Sequence, residues 1–345
     1  MTSPRSGPAG IGPAARRFGP PLLRLAGGAA VLWFLARQLG AAPFEAGLRA
    51  VTWPAVVAAA ALTVMTTACS AWRWRVVARA LGTDLNLPAA TGAYYRSLFL
   101  NFVLPGGILG DVHRAVTHGR DTGDVARGVR AVAWERLCGQ VIQALVTVVV
   151  LLALPSPVRP ALPYMLAGLA VAAGCAALAV RGAARRGRSR LARAAATIAA
   201  DLRCALLAAD VWPRLVLASV LVVAGHTATF AVAAEAAGST APLGELVALL
   251  MVIQVAAVIP LSIGGWGPRE GAAAWAFAAA GLGAATGVTI TTLYAVLMLI
   301  AVTPGAALLL RDAARRRRGP GHAREPERPE PAPEALEPVR DRPGV

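Results

Sequence analysis

The chain contains no lysine: all 34 of its basic residues are arginine. Charge of either sign is sparse, with Asp, Glu and Arg at 15% of 345 residues. A soluble domain carries about 25%, so that shortage excludes an ordinary soluble fold. Cysteine is also scarce. Cys69, Cys138, Cys175 and Cys204 stand apart with no CxxC pair, which excludes a disulfide framework or thiolate metal centre and leaves small apolar residues or free thiols. His113, His118, His226 and His322 show no ligand spacing. No Walker loop, HExxH helix or GxSxG elbow occurs, so no metal, cofactor or catalytic residue is expected.

What is present is apolar length. Hydrophobic residues make up 57% of the chain and the mean hydropathy is +0.58. This composition predicts an all-α, polytopic membrane helix bundle, with room for about six to eight spans of about 20 residues. The net charge of +16 does not point to nucleic acid, because the arginines cluster between apolar segments as the positive-inside rule expects.

In chain order, residues 1–21 are Arg- and Pro-rich and are expected to be a disordered cytoplasmic N-terminus. Full spans are expected at Leu22–Leu39, Pro54–Trp72, Trp134–Leu154, Pro160–Val180, Pro213–Ala233 and Gly287–Leu310. Asp111–Arg130 is polar and reads as a surface helix. Arg181–Arg203 carries seven Arg against one Asp, the strongest cytoplasmic marker, whereas Glu235 and Glu245 lie in an Arg-free connection expected outside. Residues 22–312 form the membrane domain, and 313–345 a disordered cytoplasmic tail rich in Pro and mixed charge. The location that follows is the inner (cytoplasmic) membrane, multi-pass, with both termini cytoplasmic.

Two further apolar runs, Leu87–Leu104 and Leu246–Leu261, are interrupted, and the interruptions match. Val103–Arg114 reads VLPGGILGDVHR and Val258–Arg269 reads VIPLSIGGWGPR. At one constant offset Pro105 maps to Pro260, Ile108 to Ile263, Gly110 to Gly265 and Arg114 to Arg269. Backbone freed by Pro and Gly is tolerated at membrane depth only where protein buries it or a wet cavity borders it. Matched interruptions in two halves point to a transporter binding site. The first is entered from the cytoplasm and the second from outside, so the pair predicts two inverted-topology repeats, each with a broken or re-entrant helix.

Arg96–Arg114 (RSLFLNFVLPGGILGDVHR), Trp134–Arg136 (WER) and Ile259–Gly271 (IPLSIGGWGPREG) together resemble the lysylphosphatidylglycerol synthase transmembrane-region family, over roughly residues 20–312. Leu109 stands where many members have Gly. The resemblance implies a flippase-like membrane domain that moves a lipid between leaflets. It also implies that this chain, without the aminoacyl-transferase domain of fused members, does not aminoacylate lipid.

The site residues expected from the motifs are Arg96 and Asn101 in the first run, the breaks Pro105, Gly106, Gly107, Pro260, Gly264 and Gly265, the cations Arg114, Arg136 and Arg269, and the anions Asp111, Glu135 and Glu270. Ionisable groups at membrane depth face the bundle interior or a wet cavity. Arg presents a planar fork suited to phosphate, and a helix N-terminus after each break favours anions. The expected ligand is therefore a phosphate-bearing lipid, either a phospholipid or a lipid-linked glycan. The competing reading is that these charges pair to close the two halves, for example Glu135 or Asp111 with Arg269. Adjacent residues on a helix point about 100° apart, so Glu135 is not expected to satisfy Arg136.

Gln140, Gln143 and Gln254 fit a cavity wall or cross-helix hydrogen bonds. His226 fits a buried hydrogen-bonding group, and Tyr94, Tyr95, Trp72 and Trp74 fit an interfacial belt. The alternative function is a membrane-embedded glycosyltransferase, or an accessory factor, acting on polyprenyl-phosphate-linked sugars, with Asp111 and Glu135 as base and metal-binding candidates. Oligomeric state is not legible.

Overall fold

Proline marks where several helices begin. Pro54, Pro88, Pro213 and Pro268 each occupy one of the first two helical positions, where the missing N–H has no intrahelical partner to lose. The computed structural model describes residues 13–104, 107–185, 190–203, 208–257 and 266–317. Among these residues the secondary structure is thirteen α-helices, one 3₁₀ turn and π-helical residues at 202–203, with no strand. In order the helices are α1 (Pro13–Leu39), α2 (Ala42–Arg49), α3 (Trp53–Ala80), α4 (Leu87–Val103), α5 (Leu109–Asp121), α6 (Val125–Ala153) and α7 (Leu162–Arg185). There follow α8 (Arg190–Asp201), α9 (Trp212–Ala236), α10 (Leu243–Ala257), α11 (Pro268–Ala279), α12 (Ala284–Ala301) and α13 (Pro304–Arg317).

Among the described residues, four stretches are long and apolar enough to cross a membrane: Trp53–Ala80, Val125–Ala153, Trp212–Ala236 and Ala284–Arg315. The other two expected full spans are helical, as α1 and α7, but are not among the four. The outer face of α6 shows what surrounds the bundle. Leu137, Val141, Leu145, Val149 and Leu152 recur at helical spacing and are all exposed. A stripe of that kind is stable against hydrocarbon and costly against water.

Three local expectations change. Helix α1 begins at Pro13, ahead of the expected start of the first span at Leu22. The polar segment 111–130 is not one surface helix. Gly123, at φ +74°, turns the chain, and the Asp124 carboxylate accepts a hydrogen bond from the Arg127 N–H at 2.9 Å, so α6 starts there instead of at Trp134. Nor does α5 lie on the surface: Gly110, Arg114, Ala115 and His118 are buried. It packs closely because its contacts are glycines. A Cβ on Gly110 would sit 2.0 Å from the Ser97 carbonyl oxygen of α4, and one on Gly128 of α6 would sit 2.7 Å from the Gly119 Cα.

Two of the apolar clusters join the helices around the site. One joins α3, α4, α5 and α6 around Trp74, Tyr94, Ala115 and Ala131. The larger joins α9, α10, α11 and α12 around Phe230, Leu249, Phe277 and Leu293, with α3 and α6 contributing Ala59 and Leu151. The arginine-rich segment after α7 includes α8, whose one carboxylate is anchored. Asp201 accepts from Trp134 Nε1 at 2.9 Å and lies 3.1 Å from Arg130 Nε.

Candidate functional site

Glu135 is the centre of a charge cluster enclosed by α3, α4, α5 and α6, and it has no solvent exposure. Its Oε1 accepts from Arg73 Nε at 3.0 Å and Nη2 at 2.5 Å, and from the Tyr94 hydroxyl at 3.2 Å. Its Oε2 accepts from Arg114 Nη2 at 2.9 Å. Asp111 takes the next position. It accepts from Arg114 Nη2 at 3.1 Å, Ser97 Oγ at 3.1 Å and Asn101 Nδ2 at 3.1 Å. Arg136 Nη2 lies 2.8 Å from the same carboxylate. Three guanidiniums, Arg73, Arg114 and Arg136, thus share two carboxylates, Glu135 and Asp111, leaving one positive charge in surplus.

The local sequence explains the sorting. Glu135 and Arg136 are neighbours on α6 and point about 100° apart, so one faces the helix bundle and the other faces a cavity. One turn on, a Cβ at Gly139 would come 2.9 Å from the Arg73 guanidinium, so glycine is what lets Arg73 lie flat across α6. Arg114 is stacked between two rings, 4.5 Å from the Trp74 centroid and 4.2 Å from that of Tyr94. Its Nε and Nη1 are buried with no hydrogen-bond partner, and the ring faces supply the attraction in their place.

The cavity measures about 200 Å³. Its wall is polar at mid-helix positions of candidate spans: Arg136, Gln140 and Gln143 from α6, Ser219 and His226 from α9, with Arg73 from α3 and Gln254 from α10. Arg73 Nη1 donates to Ser219 Oγ at 3.0 Å, so one guanidinium joins the cluster to the cavity wall. The Arg136 side chain keeps 38% of its exposure, whereas that of Arg114 has none. His226 Nδ1 stands 3.1 Å from the Tyr294 hydroxyl of α12.

The second motif reaches the same cavity indirectly. Arg269 and Glu270 pair with each other, Nε at 3.0 Å and Nη2 at 2.8 Å from Oε1. Glu270 also accepts from the Gly267 N–H at 2.6 Å, which caps α11. Gly267 adopts φ +118°, and a Cβ there would meet Gly28 Cα of α1 at 2.9 Å. The Arg269 guanidinium lies 5.5 Å from the Tyr294 ring, and Tyr294 holds His226 on the cavity wall.

Of the expected site residues, Asp111, Arg114, Glu135, Arg136 and Asn101 come together, and Arg269 with Glu270 forms a separate pair. Asn101 also accepts from the Gly110 N–H at 2.8 Å. The anions at the starts of α5 and α11 are therefore the protein's own Asp111 and Glu270, placed where the helix dipole favours negative charge. Arg96 turns Nε back on the Gly92 carbonyl at 3.1 Å and does not line the cavity. Gly107 is left-handed at φ +64°. Pro105, Gly106, Pro260, Gly264 and Gly265 lie outside the described residues.

Two expectations are corrected. Among the described residues, Arg269 does not pair with Glu135 or Asp111; Glu270 beside it on α11 is its partner. Trp74 and Tyr94 are not belt aromatics but the buried faces that clamp Arg114. Sequence reasoning missed Arg73. The WRWR run at Trp72–Arg75 suggested an interface anchor, yet position 73 is buried. The signal that marks it is its helical spacing to Thr66, Ser70 and Val77, all buried on α3.

The fold and this site define a multi-pass helical membrane protein with a charged centre built among its spans. More particularly, the chain belongs to the lysylphosphatidylglycerol synthase TM region family, whose model matches residues 22–305. Comparison with curated proteins gives no match.

Proposed function

We propose that this chain is a flippase-like lipid transporter, and that the cavity beside Arg136 receives the phosphate of a phospholipid or lipid-linked glycan. The observation that carries the reading is the surplus cation: three arginines against two carboxylates, with the partly exposed Arg136 facing a polar cavity at mid-span. A buried net positive charge without a counter-ion is costly in hydrocarbon, and an anionic headgroup supplies that counter-ion. Arg136 holds Asp111 through Nη2, while its partly exposed side chain borders the cavity. Gln140, Gln143 and Gln254 add neutral donors and acceptors suited to the rest of a headgroup.

On this reading the two motifs are inverted repeats that frame the cavity. Arg114 and Arg269 brace its walls through Tyr94 and Tyr294, while Arg136 and Arg73 meet the ligand. The protein lies in the cytoplasmic membrane with both termini and the segment Arg181–Arg203 inside. The glycosyltransferase alternative is less well supported, because Asp111 and Glu135, its base and metal candidates, are each held by two arginines.

The direct test is exchange of fluorescent lipids between leaflets of liposomes containing the purified protein. Phosphate-bearing lipids should exchange faster than in protein-free vesicles, and Arg136→Gln should abolish the gain. No exchange of any phosphate-bearing lipid would reject transport.

A further inference from the structure

The α3–α9 seam is tight at its middle and open at its ends. A Cβ on Gly225 of α9 would lie 2.3 Å from Thr66 Cγ2 of α3, so nothing enters there. Where α3 ends and α9 begins, the seam opens into a pocket of about 320 Å³. Its wall carries three guanidiniums, Arg75 and Arg79 from α3 and Arg214 from α9, against the carboxylate of Asp210. None of these residues borders the central cavity.

The three cations are not equally engaged. Arg79 Nε lies 2.8 Å from Asp84, and Arg214 Nη1 lies 4.0 Å from Asp210. Both pairs are more than half exposed and hold their partners weakly. Among the described residues Arg75 makes no ion pair at contact distance, and its Nε is buried with no hydrogen-bond partner. Val76 and Val211 close the floor with apolar surface.

The pocket's level identifies what it meets. It stands at the termini of two candidate spans, Trp53–Ala80 and Trp212–Ala236, with Trp72 in its wall and Trp212 exposed beside it. Tryptophan concentrates where headgroups meet hydrocarbon. Along α9 from this point Val216, Leu217, Val220 and Leu221 are exposed, an apolar track on which an acyl chain can lie. Basic pockets between spans at headgroup level suit anionic lipids.

We propose that this pocket is a second, peripheral lipid site, which holds the phosphate of an anionic phospholipid on Arg75, Arg79 and Arg214 while its chains follow α9. The bound lipid supplies the charge that Arg75 lacks and seals the seam between the two helices.

The test is native mass spectrometry of the full chain, released from nanodiscs of phosphatidylcholine containing a minority of phosphatidylglycerol. Wild type should retain, beyond any lipid in the central cavity, one phosphatidylglycerol that Arg75→Gln retains with about tenfold lower affinity, the loss expected of one charge-assisted hydrogen bond. The double variant Arg79→Gln/Arg214→Gln alters only exposed side chains, so it should fold and show the same direction of effect. Asp210→Asn should raise retention. Equal retention by wild type and the double variant would overturn the site. Displacement of the lipid by millimolar inorganic phosphate would overturn the lipid assignment in favour of a free anion.

Discussion

At the scale of single residues, three arginines and two carboxylates decide whether the centre holds. Glu135 is the residue that two guanidiniums and a tyrosine hydroxyl share. Glu135→Gln leaves Arg73 and Arg114 buried with too little negative charge, and breaking a buried pair of this kind costs about 3–5 kcal/mol. Thermal unfolding in detergent should show a large drop for this variant. Arg114→Lys should behave differently from any change at Arg136. An ammonium cannot fill the flat slot between Trp74 and Tyr94, so stability falls by about 1–2 kcal/mol, while lipid preference stays as in wild type. Equal loss of preference in Arg114→Lys and Arg136→Lys would contradict the division between bracing and ligand-facing arginines. The motif arginines and carboxylates were legible in the sequence because charge at membrane depth is rare. Their partners were not. Arg73 and Trp74 sit in a run that reads as an interface anchor, and only the rotation of α3 shows that both turn inward.

At the scale of elements, glycine sets the spacing of the helices that carry the site. The α4–α5 hairpin closes where Gly110 meets the Ser97 carbonyl, so Gly110→Ala forces backbone against side chain and should cost about 3 kcal/mol or more, read as reduced thermal stability. Gly139→Ala is the more informative substitution. The atoms in its way belong to the Arg73 guanidinium, which can shift without unfolding α6. That variant should lose transport, because Arg73 leaves Glu135 and Ser219, and should lose less stability than Glu135→Gln, because Arg114 keeps its partner. The extent of α4, Leu87–Val103, follows the apolar run Leu87–Leu104 read in the sequence. The early start of α6 was not legible there, because the turn that separates it from α5 rests on one left-handed glycine and one capping aspartate. Both features are local and weak in a chain so rich in glycine.

At the scale of the whole molecule, two apolar clusters, one on α3–α6 and one on α9–α12, meet at a polar cavity between them. The helical class, the membrane setting and the family followed from apolar length and from the paired motifs. The side of the cavity that bears the free charge did not, because α6 places Glu135 inward and Arg136 toward the opening by a single step of its helix. The proposed topology predicts that a cysteine at position 190, in a cysteine-free background, reacts with impermeant reagent only after the cells are opened. The central claim is most directly tested by comparing leaflet exchange of an anionic and a neutral-headgroup lipid in one preparation, for wild type, Arg136→Gln and Arg114→Lys. The account predicts that wild type and Arg114→Lys favour the anionic lipid by the same ratio and that Arg136→Gln loses the preference. An unchanged preference in Arg136→Gln would contradict it.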